Sequence, residues 1–386
     1  MRKIKIGDIC DILNGFAFKS NKYVEDGIRI IRIANVQKGY IEDNAPVFYP
    51  LYCNEIEKYM LEEGDLLMSL TGNVGRVALL QAEMLPAALN QRVACLRLKS
   101  DRLTKGYLFH ILNSDFFEQQ CIQTSNGVAQ KNMSTEWLKE YQIPLYSRNE
   151  QLKITDTLDR LRCIIDSRTN EISMLDDLIK SRFVELFGDP IMNPKGWEVV
   201  TIGDITTEVR YGTSKPAVEG GKYPYLRMNN LTIDGHLDLT ELKYIDIPDD
   251  EIEKCVVRKG DILFNRTNSI ELVGKTAVFD FPDDMVIAGY IIRVRLNTKM
   301  LPEVLSQYMN LEAIKDILRS MAKGAVNQAN INAQELQSIR VYVPDIELQK
   351  QFVEMKEQID KSKVAVQKSL DEAQLLFDSL MQKYFG

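Results

Sequence analysis

Glu55-Ile56-Glu57-Lys58, followed by Gly64-Asp65-Leu66-Leu67, returns almost unchanged as Glu251-Ile252-Glu253-Lys254 followed by Gly260-Asp261-Ile262-Leu263. Working outward, Ile6-Gly7-Asp8-Ile9 returns as Ile202-Gly203-Asp204-Ile205. Leu186-Phe187-Gly188 closes one stretch as Tyr384-Phe385-Gly386 closes the other. The offset is 196–198 positions throughout. A period this long excludes a solenoid and means a duplicated domain. Two such units can pack about a pseudo-twofold axis, and twofold proteins read paired half-sites on duplex DNA.

Each copy has two parts. The first, of about 145 residues, is rich in short strands: Ile28–Ile33, Val93–Leu98 and Ile291–Leu296 alternate apolar and polar side chains. Helices are expected over Thr104–Gln123 and Pro302–Ala322. The duplicated Glu-Ile-Glu-Lys reads as a solvated helical turn before a strand. The second part is a long helix. From near Asn149 to Phe187, Ile154, Leu158, Leu161, Ile165, Ile172, Leu175 and Ile179 form an a/d heptad seam, with Arg168 in its one polar slot. In the second copy Phe352, Met355, Ile359, Val366, Ala373, Phe377, Leu380 and Tyr384 make a rougher seam, with Lys363 where the first copy has Ile165. Helices of about 38 residues reach roughly 57 Å. A seam of this kind needs a partner, and the other copy offers one. The fold class expected is therefore α+β: two similar mixed α/β domains (1–147 and 189–345) joined by two long antiparallel coiled-coil helices (148–188 and 346–386), with pseudo-twofold internal duplication. Gly188–Gly196, with Pro190 and Pro194, links the copies. An unpaired charge in a seam is costly, so Arg168 is expected to snorkel or to meet an acid, with Asp360 a possible mate.

Composition narrows the function. Apolar residues make up 45% of the 386, enough for real cores, and no run approaches eighteen apolar residues, so no membrane partner is expected. No signal-peptide core opens the chain, and the six cysteines form no CxxC pair; buried free thiols in a reducing cytoplasm are expected. Net charge is −7, against a simple basic nucleic-acid binder. Residues 1–147 hold 17 basic and 17 acidic side chains, residues 189–345 hold 18 and 23, so phosphate neutralisation would need help from partners. Chemistry is missing: no GxxxxGK[ST], GxGxxG, HExxH, GxSxG or zinc-deaminase pattern occurs. Asp189-Pro190 and Asn193-Pro194 miss the proline-rich motif of amino-methyltransferases.

The order of domain, heptad helix, domain, heptad helix carries further matched marks. Arg32-Ile33-Ala34-Asn35-Val36 answers Arg227-Met228-Asn229-Asn230-Leu231, and each Gly-Asp-φ-Leu strand runs into a polar loop. Each long helix opens on a glutamine, Gln151 or Gln349. Over essentially its whole length the chain resembles the DNA-specificity subunit of type I restriction–modification enzymes. The resemblance implies two target-recognition domains, each reading half of an interrupted double-stranded DNA target. It also implies helices that act as spacer and docking surface for two modification (methyltransferase) subunits, with restriction motor-nuclease subunits beyond. No cofactor is then expected on this chain; S-adenosylmethionine, ATP and Mg²⁺ belong to those partners. The competing classes are a stand-alone DNA methyltransferase or nuclease, and a coiled-coil protein scaffold.

Side chains with paired donors and acceptors read base edges. The candidates for DNA contact are Arg32, Asn35, Ser69, Thr71, Asn73, Arg76, Gln91, Arg92, Gln130, Lys131 and Asn132 in the first copy. In the second they are Arg227, Asn230, Asn265, Arg266, Thr267, Asn268, Lys275, Asn327 and Gln328. Similar scaffolds with divergent loops suit two half-sites of different sequence.

Overall fold

The computed structural model describes residues 2–125, 132–325 and 328–386. They form two units, Met1–Thr169 with Gln367–Gly386, and Asn170–Val366.

In the first unit, strands Cys10–Asn14, Val93–Leu98, Leu66–Ser69 and Val77–Leu79 lie in that order in an antiparallel sheet. A second sheet orders Phe48–Tyr49, Ile28–Ile31 and Ala87–Leu89, the last pair parallel. The second unit repeats the first sheet as Thr206–Tyr211, Ile291–Leu296, Ile262–Asn265 and Thr276–Val278. Its other sheet orders Lys243–Ile245, Tyr223–Leu226, Met285–Ile287 and Val256–Val257. A small sheet of Thr267–Asn268, Gln328–Asn330 and Lys323–Ala325 completes it.

The strands Leu66–Ser69, Val93–Leu98, Ile262–Asn265 and Ile291–Leu296 are buried on both faces along most of their length, more deeply than alternation suggests. Ala94, Leu96, Leu66 and Met68 pack toward the helices, while Val93, Cys95, Leu67 and Ala78 pack toward the second sheet. Ile292 and Val294 against Leu263 and Ile291 repeat the split. The period of two survives; both sides of it are apolar because both sides are covered.

Four expectations are corrected. The Ile28–Ile33 strand ends at Ile31, because Asn35 closes a turn by accepting from Arg32 N–H at 2.9 Å. Thr104–Gln123 is two helices, Lys105–Leu112 and Asp115–Thr124; Ser114 breaks the run and caps the second by accepting from Phe117 N–H at 3.2 Å. Pro302–Ala322 divides likewise into Pro302–Met309 and Glu312–Met321. Of the cysteines, Cys163 is exposed and Cys53 half-buried; the other four are buried.

The long helices are Arg148–Phe187 and Ile346–Phe385, 40 residues each. In the first unit Ile154, Leu158 and Leu161 are buried against Phe377 and Phe385, with Ile165 and Leu380 half-buried beside them. In the second unit Ile179, Phe183 and Phe187 meet Phe352 and Ile359, with Leu175 and Met355 alongside. Ile172 and Val366 are half-buried. Phe183, Phe187 and Phe352 form an edge-to-face trio with centroids 4.8–5.6 Å apart. Lys363 holds Asp176 across the helix pair, which explains the polar break in the second seam. Asp360 holds Lys356 at 2.5 Å on its own helix.

The glutamines that open these helices are fully buried staples. Gln151 accepts from Thr104 N–H at 2.9 Å and donates to Arg102 O and Tyr146 O, each at 2.9 Å. Gln349 accepts from Leu301 N–H at 2.8 Å and donates to Lys299 O and Pro344 O, each at 2.9 Å.

Candidate nucleic-acid interface

The polar candidates divide by where the fold places them. Asn35 is buried: besides accepting from Arg32 N–H, it donates to Glu42 O at 2.8 Å. Asn230 does the same, accepting from Arg227 N–H and donating to Asp238 O, each at 2.8 Å. Ser69 is buried, bonded to Asn73 O and accepting from Arg76 N–H at 3.1 Å. Asn265 has no exposed surface; its amide donates to Tyr290 O and Thr267 O, and its oxygen accepts from the Asn268 amide at 2.9 Å. Lys275 is buried, its ammonium donating to Met228 O at 2.8 Å and Leu231 O at 2.5 Å. Burial pulls its pKa below the ordinary lysine value.

These five side chains satisfy backbone groups inside the fold. The expectation that they face DNA is corrected: a buried polar group is kept where it has partners, and theirs are internal. Arg76 is half-buried and bonded to Gln37, and Arg32 donates to Ala45 O at 2.7 Å. Thr267 donates to the Asn330 side chain at 2.9 Å.

The surface is carried by others. Asn73, Gln91, Arg92 and Asn132 are exposed in the first unit, and Gln328 in the second; Thr71 and Arg266 are half-buried. An isolated bridge joins Thr71 to Asn132. Gln130, Lys131 and Asn327 lie outside the described residues. The sequence reading missed Tyr211 and Tyr290, 43% and 53% exposed. Tyr211 lies beneath the Arg266 guanidinium, 4.9 Å from ring centroid to Cζ. No local pattern could have found that pair, because residues so far apart in sequence meet only through sheet pairing.

Two tight passages frame this edge. A Cβ on Gly15 would stand 2.2 Å from Asn90 O, and one on Gly212 would stand 2.2 Å from Ile287 O. Both glycines are required by close backbone approach. They place Asn14 and Tyr211 at equivalent positions beside the polar loops. Behind the edge, Arg293 and Arg295 share Glu208 at 2.7 and 3.0 Å, and Arg295 also holds Asp261 at 2.8 Å. Arg97 holds Asp65 at 2.7 Å in the first copy. These cations are committed internally. The edge offers hydrogen-bonding groups and flat rings on a rigid sheet, which suits recognition rather than bond making.

The sequence pattern of the type I restriction modification DNA specificity domain matches residues 1–175 and again residues 194–373. The type I restriction enzyme EcoKI specificity subunit of Escherichia coli (strain K12) is 23% identical over 98% of this chain and 86% of its own length. The EcoBI specificity subunit of Escherichia coli is 25% identical over 98% and 83%. Among solved structures, the S subunit of a type I restriction–modification system from M. genitalium shares the fold. Its TM-score is 0.61 at 17% identity, over 100% of this chain and 96% of that one. With the family pattern matched twice and the fold duplicated in step with it, this chain belongs to the type I restriction modification DNA specificity family.

Proposed function

We propose that this chain is the sequence-specificity subunit of a type I restriction–modification complex. Residues 1–147 and 189–345 are its two target-recognition domains, each reading one half of an interrupted DNA target. The long helices run antiparallel as a coiled-coil spacer and dock two modification subunits, with motor-nuclease subunits completing the assembly. The methyl donor, ATP and Mg²⁺ sit on those partners, and this chain contributes recognition alone. One observation carries the reading: a duplicated backbone scaffold is held by matched buried groups, while the polar residues at its open edge differ between copies. Phosphate contacts position such a protein, and the divergent edge groups specify sequence.

The spacer reading is the most exposed to test. Deleting 166–172 and 364–370 together removes a heptad from each helix, about 10.5 Å. That is about three base pairs, which also turns one half-site by roughly 100° relative to the other. Mapping methylated bases in cells should show lost modification, or a target with a new gap and unchanged half-sites. Normal methylation at the original spacing would refute the ruler.

A further inference from the structure

Positions 70 and 266 occupy one backbone slot in the two copies. Leu70 N–H donates to Arg92 O at 3.0 Å and its carbonyl accepts from Met133 N–H at 2.9 Å. Arg266 N–H donates to Tyr290 O at 3.0 Å and its carbonyl accepts from Ile331 N–H at 2.9 Å. The side chains diverge completely. Leu70 is buried in the core, whereas Arg266 stays half-buried at the edge with its guanidinium over Tyr211. The ring is fixed in turn, because its hydroxyl accepts from Ala333 N–H at 2.8 Å.

Among the described residues no carboxylate lies within 4.0 Å of the Arg266 guanidinium, and its Nε is buried with no hydrogen-bond partner. Arg182, Arg210, Arg258, Arg293, Arg295 and Arg319 in the same unit each hold an acid, while among the described residues Arg340 and Arg227, whose Nε is likewise buried without a partner, hold none. A partly desolvated guanidinium without an acceptor is unfavourable, and a stacked ring offsets only part of that. The fold thus keeps a planar donor fork backed by a ring, and among the described residues no acceptor holds it.

The comparison between copies decides which acceptor fits it. Phosphate contacts are needed by both halves and suit matched cations such as Arg32 and Arg227. Arg266 is unmatched: its counterpart is leucine, and the counterpart of Tyr211 is Asn14. A cation present in one half alone serves what differs between the halves, the base sequence. Guanine presents two acceptors, O6 and N7, to the major groove, spaced for an arginine fork. We propose that Arg266 reads a guanine in the half-site of the second domain, with Tyr211 as its backing plate, and that the first domain has no equivalent contact. The inference rests on the specificity-subunit reading above.

The test uses the full chain assembled with the modification subunits of its own system. Methylated sites are mapped for the native chain, Arg266→Ala and Tyr211→Leu. One G·C pair in one half-site should become degenerate in both variants, the other half-site being untouched. Replacing that guanine by 7-deazaguanine, which lacks the N7 acceptor, should slow methylation on the order of ten- to a hundredfold for the native complex and leave Arg266→Ala unaffected. A slower rate with an unchanged target in both variants would mean a phosphate or structural role and overturn the proposal. If Arg266→Ala abolishes methylation, Tyr211→Leu decides: a relaxed guanine supports the proposal and an unaltered target overturns it. If the native complex modifies no bipartite target, the specificity-subunit reading fails first and this one falls with it.

Discussion

The two copies differ least in the path of their backbone and most in the side chains it carries, hidden ones included. Ser69 and Asn265 both close the strand end by internal hydrogen bonds, with different chemistry and one backbone path. Arg76 and Lys275 follow the loops, one bonded to a side chain and the other buried against two carbonyls. Leu70 and Arg266 share every backbone bond and nothing else. A duplicated fold thus holds its carbonyls and amides fixed and leaves the side chains at the edge free to change. Hydrogen bonds made by the main chain are indifferent to what the side chain does.

That contrast can be broken most severely by exchange. Replacing residues 1–147 with the same region of a relative should change one half-site entirely and leave the other as it was, read by methylome sequencing. A change in both halves would show that the domains do not read independently.

Next come the groups the copies share. Gln349→Ala leaves Lys299 O, Pro344 O and Leu301 N–H without their buried partner, at a cost of roughly 2–5 kcal/mol. Gln151→Ala should cost a similar amount in the first unit. Chemical denaturation followed by a probe in each unit would show it, and a cost in one copy alone would contradict their equivalence.

A third prediction concerns a feature of the second copy. Lys315 is buried, 5% exposed, and among the described residues no carboxylate lies within 4.0 Å of its ammonium. Burial lowers its pKa from 10.5 to about 8. Glu118 occupies the corresponding position in the first copy, where it meets Lys38 at 2.7 Å. Because the folded pKa lies below the unfolded one, the unfolded chain binds more protons between about pH 8 and 10.5, and stability rises with pH across that window. The penalty is fully present below pH 8 and amounts to about 3 kcal/mol. Lys315→Met should therefore raise the melting temperature of the second unit at pH 7, the gain shrinking as pH approaches 10.5. A gain independent of pH would mean that packing, not charge, is responsible.

The smallest effect lies at the repeated Ile-Gly-Asp-Ile. Thr201 caps its turn, accepting from Asp204 N–H at 3.3 Å while the Asp204 carboxylate accepts from Thr201 N–H at 2.8 Å. Lys5 makes no such cap in the first copy. Thr201→Ala should cost about 1 kcal/mol and Lys5→Ala much less. Equal costs in a thermal melt would place the stability of this turn elsewhere.

The duplication and the two long helices were legible because they repeat, and repetition needs no knowledge of three-dimensional neighbours. Phe183 and Phe187 fall outside the seam because two successive steps of four from Ile179 leave its alternation of threes and fours, yet they build the aromatic trio. The edge was much less legible. Asn35, Asn230, Asn265 and Lys275 look in sequence like groups offered to a ligand, and packing turns each of them inward. The direction in which an asparagine points depends on which carbonyls the fold leaves unpaired nearby, and those are set by sheet pairing. The Arg266–Tyr211 stack depends on two strands meeting across the edge, and so does the burial of Leu70 in the matching slot.

The helix ends carry a consequence for timing. The core of the first unit includes Phe377 and Phe385. Residues up to Thr169 emerge from the ribosome nearly two hundred residues before that segment, which at 5–20 residues per second is roughly 10–40 s. Through that interval Ile154, Leu158 and Leu161 lack their final cover. The unit begun first is the unit finished last, and a chain arrested before residue 367 should be cut by protease along its first long helix while the same helix in a chain reaching residue 386 resists.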